Sequence, residues 1–232
     1  MNIFIAHIEY NKALLTPEES WHCARVLRMK PGDAIKLIDG KGNFYEAALE
    51  TVHDKHCSAN VLNGPIKQNP RSYFLHIAIA PTKQIDRIEW MLEKCVEIGI
   101  DKISLIACKN SERKNVNTER LRKIAESAVK QSQQALIPEI TDLKSFEALI
   151  HSANEPLKLI AHCENTVKNQ LGTLDLKNAS TLVMIGPEGD FSTDEIEGAL
   201  QDGFKPISLG NNRLRTETAG LYVCQTAAIL NL

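Results

Sequence analysis

The chain has 232 residues, 43% of them hydrophobic and 24% charged, with 27 Lys and Arg against 29 Asp and Glu. This is ordinary globular composition, long enough to bury a sizeable core, and it excludes a disordered, collagen-like or low-complexity protein. No uninterrupted apolar run exceeds four residues, against the ~20 that span a bilayer. The first residues also lack the basic and apolar regions of a signal peptide, so a cytoplasmic protein with no membrane partner is expected.

Residues 2–8 alternate as a strand. Thr16, Pro17 and Glu19 then have the chemistry of a helix start, with an N-cap, a first-turn proline and a capping-box glutamate. That helix is predicted to run through Arg28, stop before Pro31-Gly32-Asp33, and place Arg25 and Arg28 on one face. Ala34–Asp39 and Phe44–Val52 read as strands around the turn Gly40-Lys41-Gly42-Asn43, and Ser58–Leu62 as a further short strand. Asn63-Gly64-Pro65 through Asn69-Pro70 reads as a linker. This puts a boundary near residue 70, between a small, mostly β unit and a larger remainder.

The remainder alternates strands and helices. Phe74–Ala80, Ile103–Cys108, Leu157–His162, Thr181–Ile185 and Pro206–Leu209 read as strands. Helices are predicted from Ile85 to a stop at Gly99, over 118–134, over 193–202 with Ser192 as cap and Glu195 completing its box, and over 217–230. Lys83, Arg87, Trp90 and Lys94 are predicted to share one helix face. Such alternation implies an α/β unit with a mainly parallel sheet covered on both faces.

Six cysteines have no C-x-x-C spacing, and they read as reduced thiols. His53, His56 and Cys57 cluster, and His162 precedes Cys163, but neither group has a second pair at zinc spacing, so no metal is expected. Charge is unevenly spread: Lys109 to Lys130 holds seven basic and three acidic residues, and Glu139 to Asp202 holds four basic and twelve acidic. A near-neutral total can thus contain a basic patch.

Ligands of open α/β sheets sit beyond the carboxyl ends of strands. Three such ends carry unusual sequence: His162-Cys163-Glu164-Asn165, Gly186-Pro187-Glu188-Gly189-Asp190-Phe191 and Gly210-Asn211-Asn212-Arg213-Leu214-Arg215-Thr216-Glu217-Thr218. A glycine directly after a strand lets backbone approach a ligand closely. There is no G-x-G-x-x-G after a strand, no P-loop and no G-x-S-x-G elbow.

The run Ile185–Gly189, with Leu209-Gly210 and Leu214-Arg215-Thr216-Glu217-Thr218-Ala219 further on, resembles the RsmE family of the trefoil-knotted SPOUT class. The resemblance extends to His22–Arg28 with Pro31-Gly32-Asp33, to Lys83–Gly99 and to Pro138-Glu139-Ile140, and so covers essentially the whole chain. It implies an N-terminal PUA-like β-barrel, about residues 1–70, that binds RNA, and a knotted methyltransferase unit, about 71–232. It also implies a homodimer, S-adenosylmethionine as cofactor, and methylation of N3 of a uridine in 16S rRNA of the small ribosomal subunit. By position, it assigns cofactor contacts to Leu159, His162, Ile185, Gly186, Pro187, Glu188, Gly189, Leu209, Gly210, Leu214, Thr216 and Thr218.

Uridine N3 must lose a proton before it can attack, so a base and a nearby cation would both help. Arg215 is the candidate cation, and Glu188 or Glu217 the candidate proton acceptor. Arg25, Arg28, Lys83, Arg87, Lys94, Arg113 and Arg213 are the candidates for RNA contact. Asp190 stands where the family usually has a second glycine. The family's E-Q-S-x-R appears as Lys130-Gln131-Ser132-Gln133-Gln134. Another SPOUT enzyme, such as a ribose 2′-O-methyltransferase, and a non-catalytic RNA-binding module are the alternatives.

Overall fold

A computed structural model describes residues 2–232. They form two compact units: the chain through Pro70 together with Glu126–Ile137, and Arg71–Ala125 together with Pro138–Leu232. Residues 126–137, which a cut at residue 70 leaves with the larger unit, therefore cluster with the smaller one.

The first unit is a closed barrel. Its strands β1 (Ile3–Glu9), β2 (Lys12–Leu15), β3 (Ala34–Ile38), β4 (Asn43–Thr51) and β5 (Ser58–Lys67) follow the order β1-β2-β5-β4-β3. A parallel pairing of β1 with β3 completes the ring. Alternate residues point inward, and Phe4, Ala13, Ile35, Leu37, Ala47 and Ala59 fill the interior. β5 departs from the sequence expectation, because Asn63-Gly64-Pro65 continues the strand instead of linking two units. Asn43 pairs with Lys67 and Phe44 with Ile66 across an irregular register. Gly64, at φ +130°, passes so close to Tyr45 that a Cβ would lie 2.7 Å from its ring. The turn-forming residues here bend a strand without ending it.

Helix α1 (Pro17–Trp21) starts as predicted, with Thr16 Oγ1 accepting from Glu19 N at 3.2 Å and Pro17 in the first turn. The capping box is only half made, because the Glu19 carboxylate pairs with Lys130. After Trp21 the chain widens into a π-helical turn, His22–Val26, closed by Leu27 N donating to His22 O at 2.9 Å. Arg28 lies beyond it at φ +52°, so Arg25 and Arg28 do not share a helix face. The 126–137 segment is pinned to the barrel by Gly42 N to Ala135 O and Ile137 N to Gly40 O, both 3.0 Å, as well as by the Lys130–Glu19 pair.

The second unit holds a seven-stranded sheet in the order β10-β12-β9-β11-β6-β7-β8. Its strands are β6 (Phe74–Ile79), β7 (Lys102–Ala107), β8 (Glu139–Ser145), β9 (Leu157–Ala161), β10 (Asn169–Gln170), β11 (Ser180–Ile185) and β12 (Lys205–Ser208). Every pairing is parallel. The helices are α2 (Ile85–Ile98), α3 (Thr118–Gln131), α4 (Phe146–Ser152), α5 (Thr193–Gln201) and α6 (Thr216–Leu230). β8, α4 and β10 were not legible in the sequence, and α3 stops three residues short of its expected end.

One sheet face packs Ala78, Ile106, Ile160 and Met184 against Phe146 and Leu149 of α4 and Ile196 of α5. α6 packs with α2, β6 and β11. This close approach requires Gly220, where a Cβ would stand 2.2 Å from Met91 Sδ. Between β6 and β7, buried His76 bonds Ser104 Oγ through Nε2 at 2.8 Å and Glu155 through Nδ1 at 2.6 Å. This satisfies a polar group the core could not otherwise hold. After β12, the chain must recross β9 and β11 to lay α6 beside β6, which is the return that the knotted class requires. Among the described residues, no helix is long and apolar enough to cross a membrane.

Candidate active site

β12, β9 and β11 are adjacent in the sheet, so their carboxyl ends bring residues 161–163, 185–190 and 207–216 to one place. They enclose a cavity of about 520 Å³, in the size range of small-molecule sites. Its wall includes His162, Ile185, Gly186, Pro187, Glu188, Leu209, Gly210, Leu214, Arg215 and Thr216. Gly210 turns at φ +117°, a conformation that favours glycine, and a Cβ there would meet nothing within 4 Å. Backbone is thus presented bare at the strand end. Ile185, Leu209 and Leu214 supply apolar surface.

The loops are cross-braced. Thr216 Oγ1 donates to Gly186 O at 3.1 Å, tying the start of α6 to the end of β11. Asp190, at φ +65°, accepts from Cys163 N at 2.7 Å with one carboxylate oxygen and from Phe191 N at 2.8 Å with the other. Asn110 Nδ2 donates to the carbonyls of Gly189 and Asp190 at 3.2 and 3.1 Å. Lys168 Nζ donates to His162 O at 2.7 Å. The His162 ring is buried, and neither of its nitrogens has a hydrogen-bond partner among the described residues. Burial, then the Lys168 charge, lowers its pKa and so favours the neutral ring. Burial and the Asp190 charge push the Cys163 thiol up. Cys163, Lys168, Asp190 and Asn110 were not singled out as site residues. The adjacency of β9 and β11 brings Cys163 to Asp190, while Asn110 reaches them from the loop after β7.

Several predicted residues lie off the cavity wall. Leu159 is fully buried inside β9, two residues before its end, and Gly189 packs beneath Asn110. Helical rotation explains the rest: Thr216 and Ala219, three apart, line the cavity, whereas Glu217 and Thr218 turn away from it. Glu217 is buried near Arg87 (Nε to Oε1 3.8 Å), and Thr218 lines a second groove with Trp90, Ile98 and Tyr222. Glu188 is exposed at the rim, where its carboxylate accepts from Lys83 N at 3.1 Å.

Most of the candidate cations are partnered. Arg25 pairs with Asp54 at 2.7 Å, Lys83 with Glu112 at 3.0 Å, and Lys94 with Glu93 and Glu97. Lys83 precedes α2 and so does not share the face of Arg87 and Lys94. Arg113 donates to the carbonyls of Thr82 and Lys83. The Lys109–Lys130 block is spent largely on local partners, including Arg120 with Glu89 and Arg122 with Asp142. Arg213 reaches Glu188 O at 3.4 Å. Arg215 is exposed, and among the described residues its guanidinium has neither an ion pair nor a hydrogen bond. Among them, too, no group of three or more His, Cys, Asp or Glu is placed to hold a metal ion.

Residues 69–228 match the RNA methyltransferase domain family, and residues 15–62 match the RNA methyltransferase PUA domain. The chain is 28% identical over 222 residues to ribosomal RNA small subunit methyltransferase E of Bacillus subtilis, covering 90% of this chain and 86% of that protein. A crystal structure of a probable rRNA-methyltransferase from Porphyromonas gingivalis superposes with a TM-score of 0.91 at 42% identity, covering 100% of this chain and 98% of that one. The Neisseria gonorrhoeae ribosomal RNA small subunit methyltransferase E, solved bound to S-adenosyl methionine, superposes with a TM-score of 0.84 at 26% identity, covering 100% and 98%. The chain belongs to the RNA methyltransferase family, within its ribosomal RNA small subunit methyltransferase E (RsmE) group, and joins a PUA-like barrel to a knotted α/β methyltransferase unit.

Proposed function

We propose that this protein uses S-adenosylmethionine to methylate N3 of a uridine in 16S rRNA of the small ribosomal subunit. The observation that carries the reading is the convergence of three strand ends on a single cavity of about 520 Å³, in a chain whose fold matches a relative solved with that cofactor. The wall suits the cofactor: a flat adenine fits between the apolar side chains Ile185, Leu209 and Leu214, and the bare backbone at Gly186 and Gly210 can contact it. His162, Pro187 and Thr216 complete the contact set. Bound there, the cofactor would supply an electrophilic methyl group on a sulfonium.

The chain's own groups then have to position the uridine and take its N3 proton. Glu188, exposed at the rim, is better placed for that proton than Glu217, which is buried beside Arg87 and off the wall. Arg215, unpaired at the same rim, would stabilise the negative charge that spreads onto the uracil oxygens as the proton leaves. Positioning supplies much of the remaining acceleration.

RNA contact is assigned to Arg25 and Arg28 on the barrel and to Arg213 beside the cavity. Arg25, Lys83, Arg87, Lys94 and Arg113 would have to exchange present partners for phosphate. The second groove, about 510 Å³ and lined by Trp90, Ile98, Leu221 and Tyr222 on α2 and α6, is read as the contact surface of a homodimer. The substrate implies a cytoplasmic protein. The test is incubation with labelled S-adenosylmethionine and small subunits from a strain lacking the endogenous enzyme, followed by mapping of the modified base. Label on uridine N3 is expected; label on a ribose oxygen, or none on RNA, would overturn the reading.

A further inference from the structure

The barrel carries an exposed surface that its core does not explain. Trp21 is 54% exposed and Val26 50% exposed, and Leu27 is also open to solvent. Val26 lies on the π-helical turn and Trp21 and Leu27 flank it, and the buried residue of the turn is Cys23. Widened turns of this kind are frequent at functional sites. His22 sets its ring against core Phe4 in an edge arrangement, with centroids 6.4 Å apart.

The β4–β5 connection packs beside this turn. Cys57 N donates to Ser20 Oγ at 2.9 Å, and Arg25 meets Asp54 at 2.7 Å. On that connection His53 and His56 are exposed and stack on one another, with centroids 4.3 Å apart and planes inclined by 26°. Arg25, Arg28, Lys30 and Lys55 belong to the same two segments as these rings; Asp54 is held by Arg25 and meets His53, and Asp33 accepts from Lys30 N. Indole and imidazole faces in a basic setting suit a polyanion that presents flat rings. An aliphatic protein surface would match neither the charge nor the planar faces.

We propose that Trp21 and the stacked His53–His56 pair form a platform on which unpaired RNA bases stack, with Arg28 and Lys55 following the phosphates. This rests on the reading that the substrate is RNA, and it adds that the barrel engages a single-stranded segment. A duplex keeps its bases stacked on each other and offers none to the platform.

The test uses the full chain and a short labelled uridine-rich strand, alone and annealed to its complement. Trp21→Ala should weaken single-strand binding about tenfold, leave duplex binding and the slope of affinity against salt unchanged, and be largely rescued in Trp21→Phe. His53→Ala with His56→Ala should act in the same direction. The exposure of Trp21 predicts an unchanged melting temperature for its variants. Wild-type affinity in both sets, equal losses for strand and duplex, or no RNA binding by the wild type would each overturn the platform. So would sedimentation showing that Trp21→Ala only abolishes self-association. Calorimetry with S-adenosylmethionine on the same preparations separates the two readings. Trp21-dependent RNA binding without cofactor binding sinks the methyl-transfer reading alone, and the converse sinks the platform alone.

Discussion

Asp190 and the backbone of Cys163 are joined by a hydrogen bond of 2.7 Å, although they belong to loops that leave different strands. The aspartate holds this position at φ +65°, which costs an ordinary side chain about 1–2 kcal/mol and Asp somewhat less. Hydrogen bonds to an ionised group contribute about 1.5–3 kcal/mol each, so the clamp outweighs its strain. Each oxygen accepts a backbone amide, so Asp190 braces the two loops against each other. Asp190→Gly should weaken S-adenosylmethionine binding about tenfold, while relief of the positive φ offsets part of the stability lost with the clamp. Asp190→Asn, which retains one acceptor oxygen, should fall between. Calorimetry and amide exchange at Cys163 read the two effects separately, and unchanged cofactor affinity in Asp190→Gly would exclude the clamp from the site.

Arg215 is exposed at the cavity rim, and loss of its charge exposes no buried partner. Arg215→Ala should lower kcat about 100-fold, the scale of removing one preorganised charge-stabilising group, with cofactor affinity unchanged within about twofold. Single-turnover methylation of small subunits, paired with cofactor titration, measures the split. Normal turnover would remove Arg215 from the reaction.

His76 bonded to Glu155 holds that carboxyl below its ordinary value of 4.5. The unfolded chain therefore takes up this proton first on acidification. The stability the pair contributes is complete above pH 4.5 and is lost as pH falls through the lower folded value. Melting temperatures recorded from neutral pH down to about pH 3 should drop more steeply for the wild type than for Glu155→Gln, which has no such proton to bind. Parallel curves would assign the acid sensitivity to other carboxylates.

Gly220 allows α6 to approach α2 so closely that a Cβ would overlap Met91 Sδ. Gly220→Ala should destabilise the protein by about 1–3 kcal/mol, the usual cost of overpacking a filled core. Met91→Ala is itself destabilising, but the double variant should lose less than the sum of the two single variants, because the new methyl then occupies vacated space. Urea denaturation of the single and double variants gives the coupling, and additive losses would show that the contact is not the cause.

The sequence made the buried strands visible because β6, β9 and β11 are short apolar runs with turn residues after them. β8 remained hidden: of its seven residues only Ile140 is buried, so it has neither alternation nor a run to read. The glycines at 186 and 210 pointed to the cavity from sequence alone, since each directly follows a predicted strand. Asp190 could be seen as a substitution for glycine but not as a clamp, because its partner lies 27 residues away on a neighbouring strand. The partners of the basic block were hidden for the same reason. Charges can be counted along a chain, but Glu89 and Asp142, which meet Arg120 and Arg122, are brought there only by folding.

The segment 126–137 also bears on how the molecule is made. Backbone bonds from Gly40 and Gly42 reach Ile137 and Ala135, and Glu19 finds its counter-charge in Lys130. A nascent chain released through residue 70 has all five barrel strands but lacks these partners. During translation the barrel must therefore wait, incompletely clad, while about as many residues again leave the ribosome. The amino-terminal unit is the first to be synthesised, yet it cannot be finished until residue 137 has emerged.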